Sequence, residues 1–101
     1  MIYGRIKNYK FEEVQEILNS EYPIDYTITD VGLSAFMYAC SLPDQTPPQR
    51  KQYNLKMLQL IWSFGPDLKR MDKFRRTCLH IAVRANNETA LKFIVSKDNV
   101  Q

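Results

Sequence analysis

The chain has 101 residues, of which 45% are hydrophobic and 25% are charged, so it has the size and composition of one globular domain. Its formal net charge of +3 is far from the strong basic bias of dedicated nucleic-acid-binding proteins. No apolar run approaches the roughly 18 residues that suggest a membrane span, and no secretory leader is recognisable at Met1. The two cysteines make no disulfide framework, so we expect an intracellular, cytoplasmic location.

The first ten residues follow no clear period, and we interpret residues 1–10 as either the remnant of a helix or a cap over the apolar edge behind it. After them, apolar residues recur at the i, i+3, i+6 and i+7 positions that make one stripe of a helix. The stripe appears three times, with a glutamate opening the third: Phe11, Val14, Ile17 and Leu18; Leu55, Leu58, Ile61 and Trp62; Glu88, Leu91, Ile94 and Val95. The stripes predict helices at about 9–20, 53–64 and 88–97.

The segment Arg75-Arg76-Thr77-Cys78-Leu79-His80-Ile81-Ala82 has the pattern of a helix start. Thr77 can cap the first turn, and the imidazole of His80 can reach back to the Thr77 hydroxyl. Leu79 then begins an apolar face. A degraded copy of the segment, Ser34-Ala35-Phe36-Met37-Tyr38-Ala39, lies 43 residues earlier. The two segments predict further helices at about 34–42 and 77–86.

Thr77-Cys78-Leu79-His80-Ile81-Ala82 resembles the Thr-Pro-Leu-His-x-Ala turn that opens the first helix of an ankyrin repeat, with cysteine in place of proline. Gly65-Pro66-Asp67-Leu68-Lys69 is similar to the Gly-Ala-Asp-Val-Asn segment of that family. Leu55 and Glu88 are separated by 33 residues, which is the ankyrin period. The resemblance implies an all-α, helix-turn-helix solenoid with finger loops, in which residues 11–101 make about two and a half repeats.

Two spacings are longer than the ankyrin period, because Phe11 and Leu55 are 44 residues apart and Ser34 and Thr77 are 43 apart. Both spacings require about ten extra residues between the second and third predicted helices. Residues 43–52 carry three prolines and no apolar periodicity, so we assign them to an inserted loop. A period of about 43 alone would suggest HEAT or armadillo helices, but the spacing of 33 in the second half favours ankyrin repeats.

The resemblance also implies two hairpin-like fingers between paired helices, at about 22–33 and 65–76. The turn glycine of the family is kept as Gly32 in the first finger. Arg75 stands in its place in the second, so we expect that turn to be strained or differently shaped.

The second finger holds the candidate partner-binding residues, a basic cluster around one aromatic side chain: Lys69, Arg70, Lys73, Phe74, Arg75 and Arg76. The first finger carries Asp25 and Asp30 and no such cluster. The cluster is either a solvated loop or a contact for another protein with an acidic surface, since ankyrin-like proteins commonly bind through finger tips and the concave helix face. Nucleic acid is not expected as a partner, because no stacking platform accompanies the charge.

Three residues invite chemical interpretations that the sequence does not favour. The only histidine, His80, has no Cys/His spacing around it that suits zinc, and in the ankyrin family this position is structural. Cys40 and Cys78 lack a neighbouring base, so we expect buried, inert thiols. Paired carboxylates, a phosphate-binding loop and a nucleophile–base pair are all absent from the sequence, so we expect no enzyme, cofactor, metal or small-molecule substrate.

The function expected from the sequence is protein–protein interaction or scaffolding. The alternative is a structural subunit or fragment of a larger multiprotein assembly, which contributes surface without selecting a partner.

Overall fold

A computed structural model describes residues 2–44 and 47–98. Within these ranges the chain is all-helical, as expected, and an isolated bridge between Thr27 and Ser34 is its only extended pairing. Six helices follow in order: α1 (Ile2–Lys7), α2 (Phe11–Asn19), α3 (Ala35–Cys40), α4 (Gln49–Trp62), α5 (Cys78–Arg84) and α6 (Glu88–Asp98). None of the helices in the described ranges combines the length and apolar character needed to cross a bilayer. The parts of our assignments that fall on Met1, Gln45-Thr46 and residues 99–101 lie outside the described residues.

The helices pack as three successive pairs. Helix α1 contacts α2, α3 contacts α4, and α5 contacts α6. The pairs also contact one another in chain order, because α3 lies against both α1 and α5 while α4 lies against both α2 and α6. The odd-numbered helices therefore form one layer and the even-numbered helices a second, and the core lies where the apolar faces of the two layers meet.

The buried positions recur along the chain at two spacings. In the odd-numbered layer the buried sets are separated by 33 and then 43 residues: Ile2, Ala35 and Cys78; Ile6, Ala39 and Ala82. In the even-numbered layer the order is 43 and then 33: Val14, Met57 and Ala90; Leu18, Ile61 and Ile94. Both longer spacings span the connection between α3 and α4, so the extra ten residues belong to that connection.

The predicted stripe of α4 is confirmed at Leu58 and Ile61, which are buried, and is wrong at Leu55. Leu55 is exposed, and the buried place belongs to Asn54, whose side chain accepts a hydrogen bond from the Tyr9 hydroxyl at 2.6 Å and donates to the Pro43 carbonyl at 3.0 Å. A polar residue with its hydrogen bonds made can occupy a core position. The spacing of 44 residues measured from Leu55 was therefore wrong by one, and the faces of α2 and α4 are 43 residues apart.

The third stripe and the helix start before it also need correction. In α6 the buried aromatic residue is Phe93, whereas Val95 is exposed. In α5 Ile81 is buried as predicted, but Leu79 is exposed. Both exposed residues lie on the last helix pair, where no further helix of the described chain covers them.

The predicted inserted loop at 43–52 is too long at its C-terminal end, because α4 begins at Gln49. The first turn of α4 is mostly exposed, which explains why its residues show no apolar period. Glutamine, arginine and lysine are good helix formers even where packing does not hold them. Pro48 precedes the helix with φ −54° and ψ −31°, a helical conformation in which its missing N–H is not needed.

The N-terminal segment, which the sequence left open, is a helix. Ile2 and Ile6 of α1 are buried in the core, and the ring of Tyr3 lies 4.7 Å from the ring of Tyr38. Helix α1 therefore completes a pair with α2 and covers part of the edge behind it.

Candidate functional site

The turn of the second finger is organised by one buried carboxylate, Asp72. It accepts hydrogen bonds from the N–H of Phe74 at 2.8 Å and from the N–H of Arg76 at 2.9 Å, and it forms an ion pair with Arg76 Nε at 2.7 Å. Burial by itself would raise the pKa of Asp72, but the hydrogen bonds from Arg76 and Phe74 outweigh burial and hold the pKa below its ordinary value. The carboxylate is therefore ionised and fixes the turn from residue 72 to residue 76.

Arg75 occupies the left-handed backbone region in this turn, with φ +62°. Gly32, which lies 43 residues earlier in the first finger, is also left-handed with φ +92°. A non-glycine residue pays roughly 1–2 kcal/mol for this conformation. The expected strain is therefore localised at Arg75, whose backbone takes the same region as the glycine that it replaces.

The two fingers lie side by side and are joined by hydrogen bonds. The Lys73 N–H donates to the Val31 carbonyl at 2.9 Å, and the Asp67 N–H donates to the Asp25 carboxylate at 3.0 Å. A Cβ at Gly32 would lie 3.2 Å from the Lys73 nitrogen, so glycine also allows the close approach of the fingers.

The structure divides the predicted basic cluster into two groups. Arg70 donates to the Thr27 hydroxyl at 2.5 Å, and Arg76 is held by Asp72, so these two guanidinium groups have structural roles. The other three cations are exposed and make no side-chain hydrogen bond or ion pair with the part of the chain that the structure describes: Lys69, Lys73 and Arg75.

Two exposed apolar side chains lie among these cations. Phe74 is 64% exposed and Met71 is 53% exposed, although large apolar side chains usually lose most of their exposure in a folded domain. The Arg76 guanidinium lies 5.1 Å from the centre of the Phe74 ring. The surface formed by Lys69, Met71, Lys73, Phe74 and Arg75, called here the finger surface, thus combines positive charge with apolar area on a turn of fixed shape.

A second polar cluster, which sequence reasoning missed, surrounds the buried carboxylate of Asp44. It accepts hydrogen bonds from the Asn54 amide at 3.0 Å and from the Thr89 N–H and hydroxyl, both at 3.1 Å. Lys51 Nζ completes the set at 3.0 Å. The cluster joins the inserted segment to α4 and α6, so the segment is anchored at its first residues.

Burial would raise the pKa of Asp44, but the hydrogen bonds from Asn54, Lys51 and Thr89 together lower the pKa below its ordinary value. No sequence pattern identifies this residue, because an aspartate after a proline is an ordinary loop signal.

His80 and the two cysteines have structural surroundings. The His80 imidazole Nδ1 lies 2.9 Å from the Thr77 hydroxyl oxygen, as predicted, and accepts a hydrogen bond from the Thr77 N–H at 3.2 Å. Cys40 and Cys78 are buried and free, and the Cys78 thiol donates to the Leu68 carbonyl at 3.6 Å. Burial, and then contact with Cys78, raises the pKa of Cys40 well above its ordinary value. In residues 2–44 and 47–98, no group of three His, Cys, Asp or Glu side chains is placed to hold a metal ion.

Comparison with protein-family models and with curated proteins finds no match to this chain. The function is therefore inferred from the geometry and chemistry of the finger surface.

Proposed function

We propose that this chain is a protein–protein interaction or scaffolding module that binds an acidic surface of another protein through the finger surface. One observation supports this most directly: three exposed cations without partners in the described chain flank Phe74 on a turn that Asp72 holds. Aromatic side chains are enriched at interface centres, and a turn that is already rigid loses little conformational entropy on binding.

We also infer that the helix pairs form an ankyrin-like stack, with the concave face as a further binding surface. Three features support this inference: the order of contacts between the pairs, the spacing of 33 residues in each layer, and the pairing of Thr77 with His80 at the start of α5. The equivalent left-handed residues Gly32 and Arg75, one in each finger, add to it.

The alternative, a structural subunit of a larger assembly, is supported by a different surface. Leu79, Val83 and Val95 on the last helix pair are exposed, and large exposed apolar patches commonly mark association sites. A subunit role would depend on this edge and would be insensitive to the charge of the finger surface, so the two functions are separable by substitution.

The test of the interaction role is quantitative affinity purification with a triple variant, Lys69→Ser/Lys73→Ser/Arg75→Ser. Arg76 is left intact because its loss would release Asp72 and distort the turn. The matched control, Lys7→Ser/Lys10→Ser/Lys92→Ser, removes the same charge from other exposed positions.

We expect the finger variant to lose partner recovery by about tenfold or more, since three exposed charge contacts are each worth up to about 1 kcal/mol. Wild-type recovery should also fall with salt, because exposed charges are screened beyond about 8 Å at physiological ionic strength. If the finger variant and the control recover the same proteins in the same amounts, the finger surface is a solvated loop.

A further inference from the structure

The last helix pair leaves uncovered the same positions that the middle pair buries. In the middle pair, Phe36 and Cys40 of α3 are at most 1% exposed. The residues 43 positions later in α5, Leu79 and Val83, are 41% and 60% exposed. Trp62 of α4 is partly buried against the core, whereas Val95, 33 positions later in α6, is 47% exposed. The exposed edge of the last pair is therefore equivalent in position to the buried interface between the middle and last pairs, which is called the seam below.

The chain itself shows what covers such a seam. The Phe36 ring lies 6.2 Å from the Phe93 ring, and the Trp62 ring meets Phe93 edge-on at 5.9 Å. Cys40 contacts Cys78 in the same seam. Phe93 and Cys78 thus form the covering side, and their equivalents in the first helix pair are Ile17 and Ile2, each 76 positions earlier.

These two equivalents line an open groove at the opposite end of the molecule. The groove has a volume of ≈ 470 Å³ and is lined by apolar and aromatic side chains: Ile2, Tyr3, Ile17, Tyr22, Tyr26, Thr27 and Ile28. Tyr26 at its rim is 61% exposed. The first pair therefore exposes a surface equivalent to the one by which the last pair contacts the middle pair. The last pair, at the other end, exposes a surface equivalent to the one by which the middle pair receives that contact.

The fingers at the two ends differ in charge. At the first end, Asp30 lies with Tyr3 and Ile28 around a neighbouring groove, and the finger from residue 22 to residue 33 contains no lysine or arginine. At the last end, Lys69 and Asp98 both lie beside Leu79 and Ile94, and the second finger adds the exposed cations Lys73 and Arg75. Opposite charges across apolar surfaces favour one orientation of docking and disfavour the contact of like ends.

We propose that the occupant of the last edge is a second copy of this chain, stacked end to end. In this arrangement α1, α2 and the first finger of one copy cover α5, α6 and the second finger of the other. The contact is heterologous, so each copy keeps one unused edge and the stack lengthens with protein concentration. The inference does not rest on the proposed interaction role, because it is argued from the apolar edges of the helix pairs. The stacked copy would nevertheless cover the second finger, since Phe74 and Arg75 are equivalent in position to Val31 and Gly32, which lie against Lys73 in the contact between the fingers. A partner bound to the finger surface and a second copy of the chain would therefore compete.

The test measures the mass of the full chain by light scattering coupled to size exclusion over a range of concentrations. One variant, Leu79→Glu/Val83→Glu, blocks the last edge, and a second, Tyr26→Glu, blocks the first. All three residues are exposed, and circular dichroism verifies that each variant is folded. Leu55→Glu, at an exposed apolar position on α4 that is not one of the proposed edge residues, is the matched control.

We expect the mass of the wild type and of Leu55→Glu to rise with concentration, whereas each edge variant alone stays monomeric. An equimolar mixture of the two edge variants should form a 1:1 dimer, because each variant keeps the edge that the other lacks. A wild type that is monomeric up to about 1 mM overturns the proposal. Self-association of either edge variant alone, or failure of the mixture to form the dimer, also overturns it.

Discussion

Two buried carboxylates, Asp44 and Asp72, hold the least regular parts of this chain. A buried charge is costly unless it is paired and hydrogen-bonded, and each of these carboxylates meets both conditions. Asp44 ties the inserted segment to α4 and α6, while Asp72 shapes the turn that carries the finger surface. Asp44 and Asp72 therefore fix the inserted segment and the turn of the second finger, two irregular segments of the chain.

The stability of the protein should fall in acid because of these two groups. Their pKa values are lowered in the folded state from the ordinary value of 3.8, so the unfolded chain takes up protons first as the pH falls. The two carboxylates therefore make their full contribution to the free energy of unfolding when the pH is above 3.8. That contribution is lost as the pH falls from 3.8 through their lower pKa values in the folded state. Urea unfolding at about pH 5 and about pH 3 should show this loss.

Asp44→Asn should reduce the loss between the two pH values, at the cost of lower stability at neutral pH. Asp30→Asn, which changes an exposed carboxylate, is the control and should leave the wild-type loss in place. An identical pH dependence for wild type and Asp44→Asn would mean that Asp44 has no role in acid sensitivity.

Thr77, the residue directly before α5, is a further single position at which a substitution should change stability. Thr77 is the N-cap of α5, and its hydroxyl lies 2.9 Å from His80 Nδ1. Thr77→Ala removes this hydroxyl and keeps the backbone N–H, so it should lower the free energy of unfolding by ~0.5–2 kcal/mol. His80 is exposed, and water can replace its hydrogen bonds, so His80→Ala should cost less. Urea midpoints of the two variants, with Thr77→Ser as the conservative control, measure the difference. An unchanged midpoint for Thr77→Ala would exclude a capping role.

At the scale of elements, each of the two finger turns contains one residue with a positive φ, which is glycine in the first finger and arginine in the second. Gly32 adopts its positive φ without strain and admits the Lys73 nitrogen at close range. Arg75 adopts a positive φ with strain, and its side chain belongs to the finger surface. The second finger thus keeps a cation at a position where glycine would relieve strain.

This difference predicts unequal responses to substitution. Gly32→Ala should destabilise the protein by about 1 kcal/mol or more, because alanine is strained at φ +92° and its Cβ meets the Lys73 backbone. Arg75→Gly should stay within about 0.5 kcal/mol of the wild type, since relief of strain offsets the greater freedom of glycine in the unfolded chain. Thermal unfolding of both variants and of the wild type measures the two changes in stability. Equal destabilisation by the two substitutions would argue against a strained turn at Arg75.

At the scale of the whole molecule, the number of helix pairs bears on stability. Repeat proteins built from helix pairs need about three units for stability, and α1 completes a third helix pair that the sequence did not assign. The radius of gyration of 12.4 Å is that of an ordinary domain of this length. The last helix pair leaves Leu79, Val83 and Val95 exposed, so we expect the stability of the chain to depend on whether that edge is covered.

Residues 1–101 alone should therefore show either a low, broad unfolding transition or self-association. In the second case the apparent melting temperature rises with protein concentration, because association stabilises the folded state by mass action. Differential scanning calorimetry at several concentrations separates the two cases. A sharp transition of a monomer well above about 50 °C, independent of concentration, would contradict the prediction.

The sequence by itself determined the features that depend on neighbours within a few residues. The helical stripe of Val14 and Leu18 and the start of α5 directly after Thr77 follow from local periodicity and capping. The turn positions of Gly32 and Arg75 were expected from the resemblance to the ankyrin repeat, and both residues have a positive φ. These rules act between residues that are close in the sequence, so their results can be recognised from the sequence alone. The all-helical class follows from the same rules.

Only the tertiary structure decided the features that depend on contacts between distant residues. Helix α1 is too short to show a period, and it is identified by the burial of Ile2 and Ile6 against other helices. Asn54 takes a core position because Tyr9, 45 residues away, donates to it. Arg70 and Arg76 are excluded from the finger surface because Thr27 and Asp72 hold their guanidinium groups. Such pairings depend on which segments the fold brings together, and local rules carry no information about them.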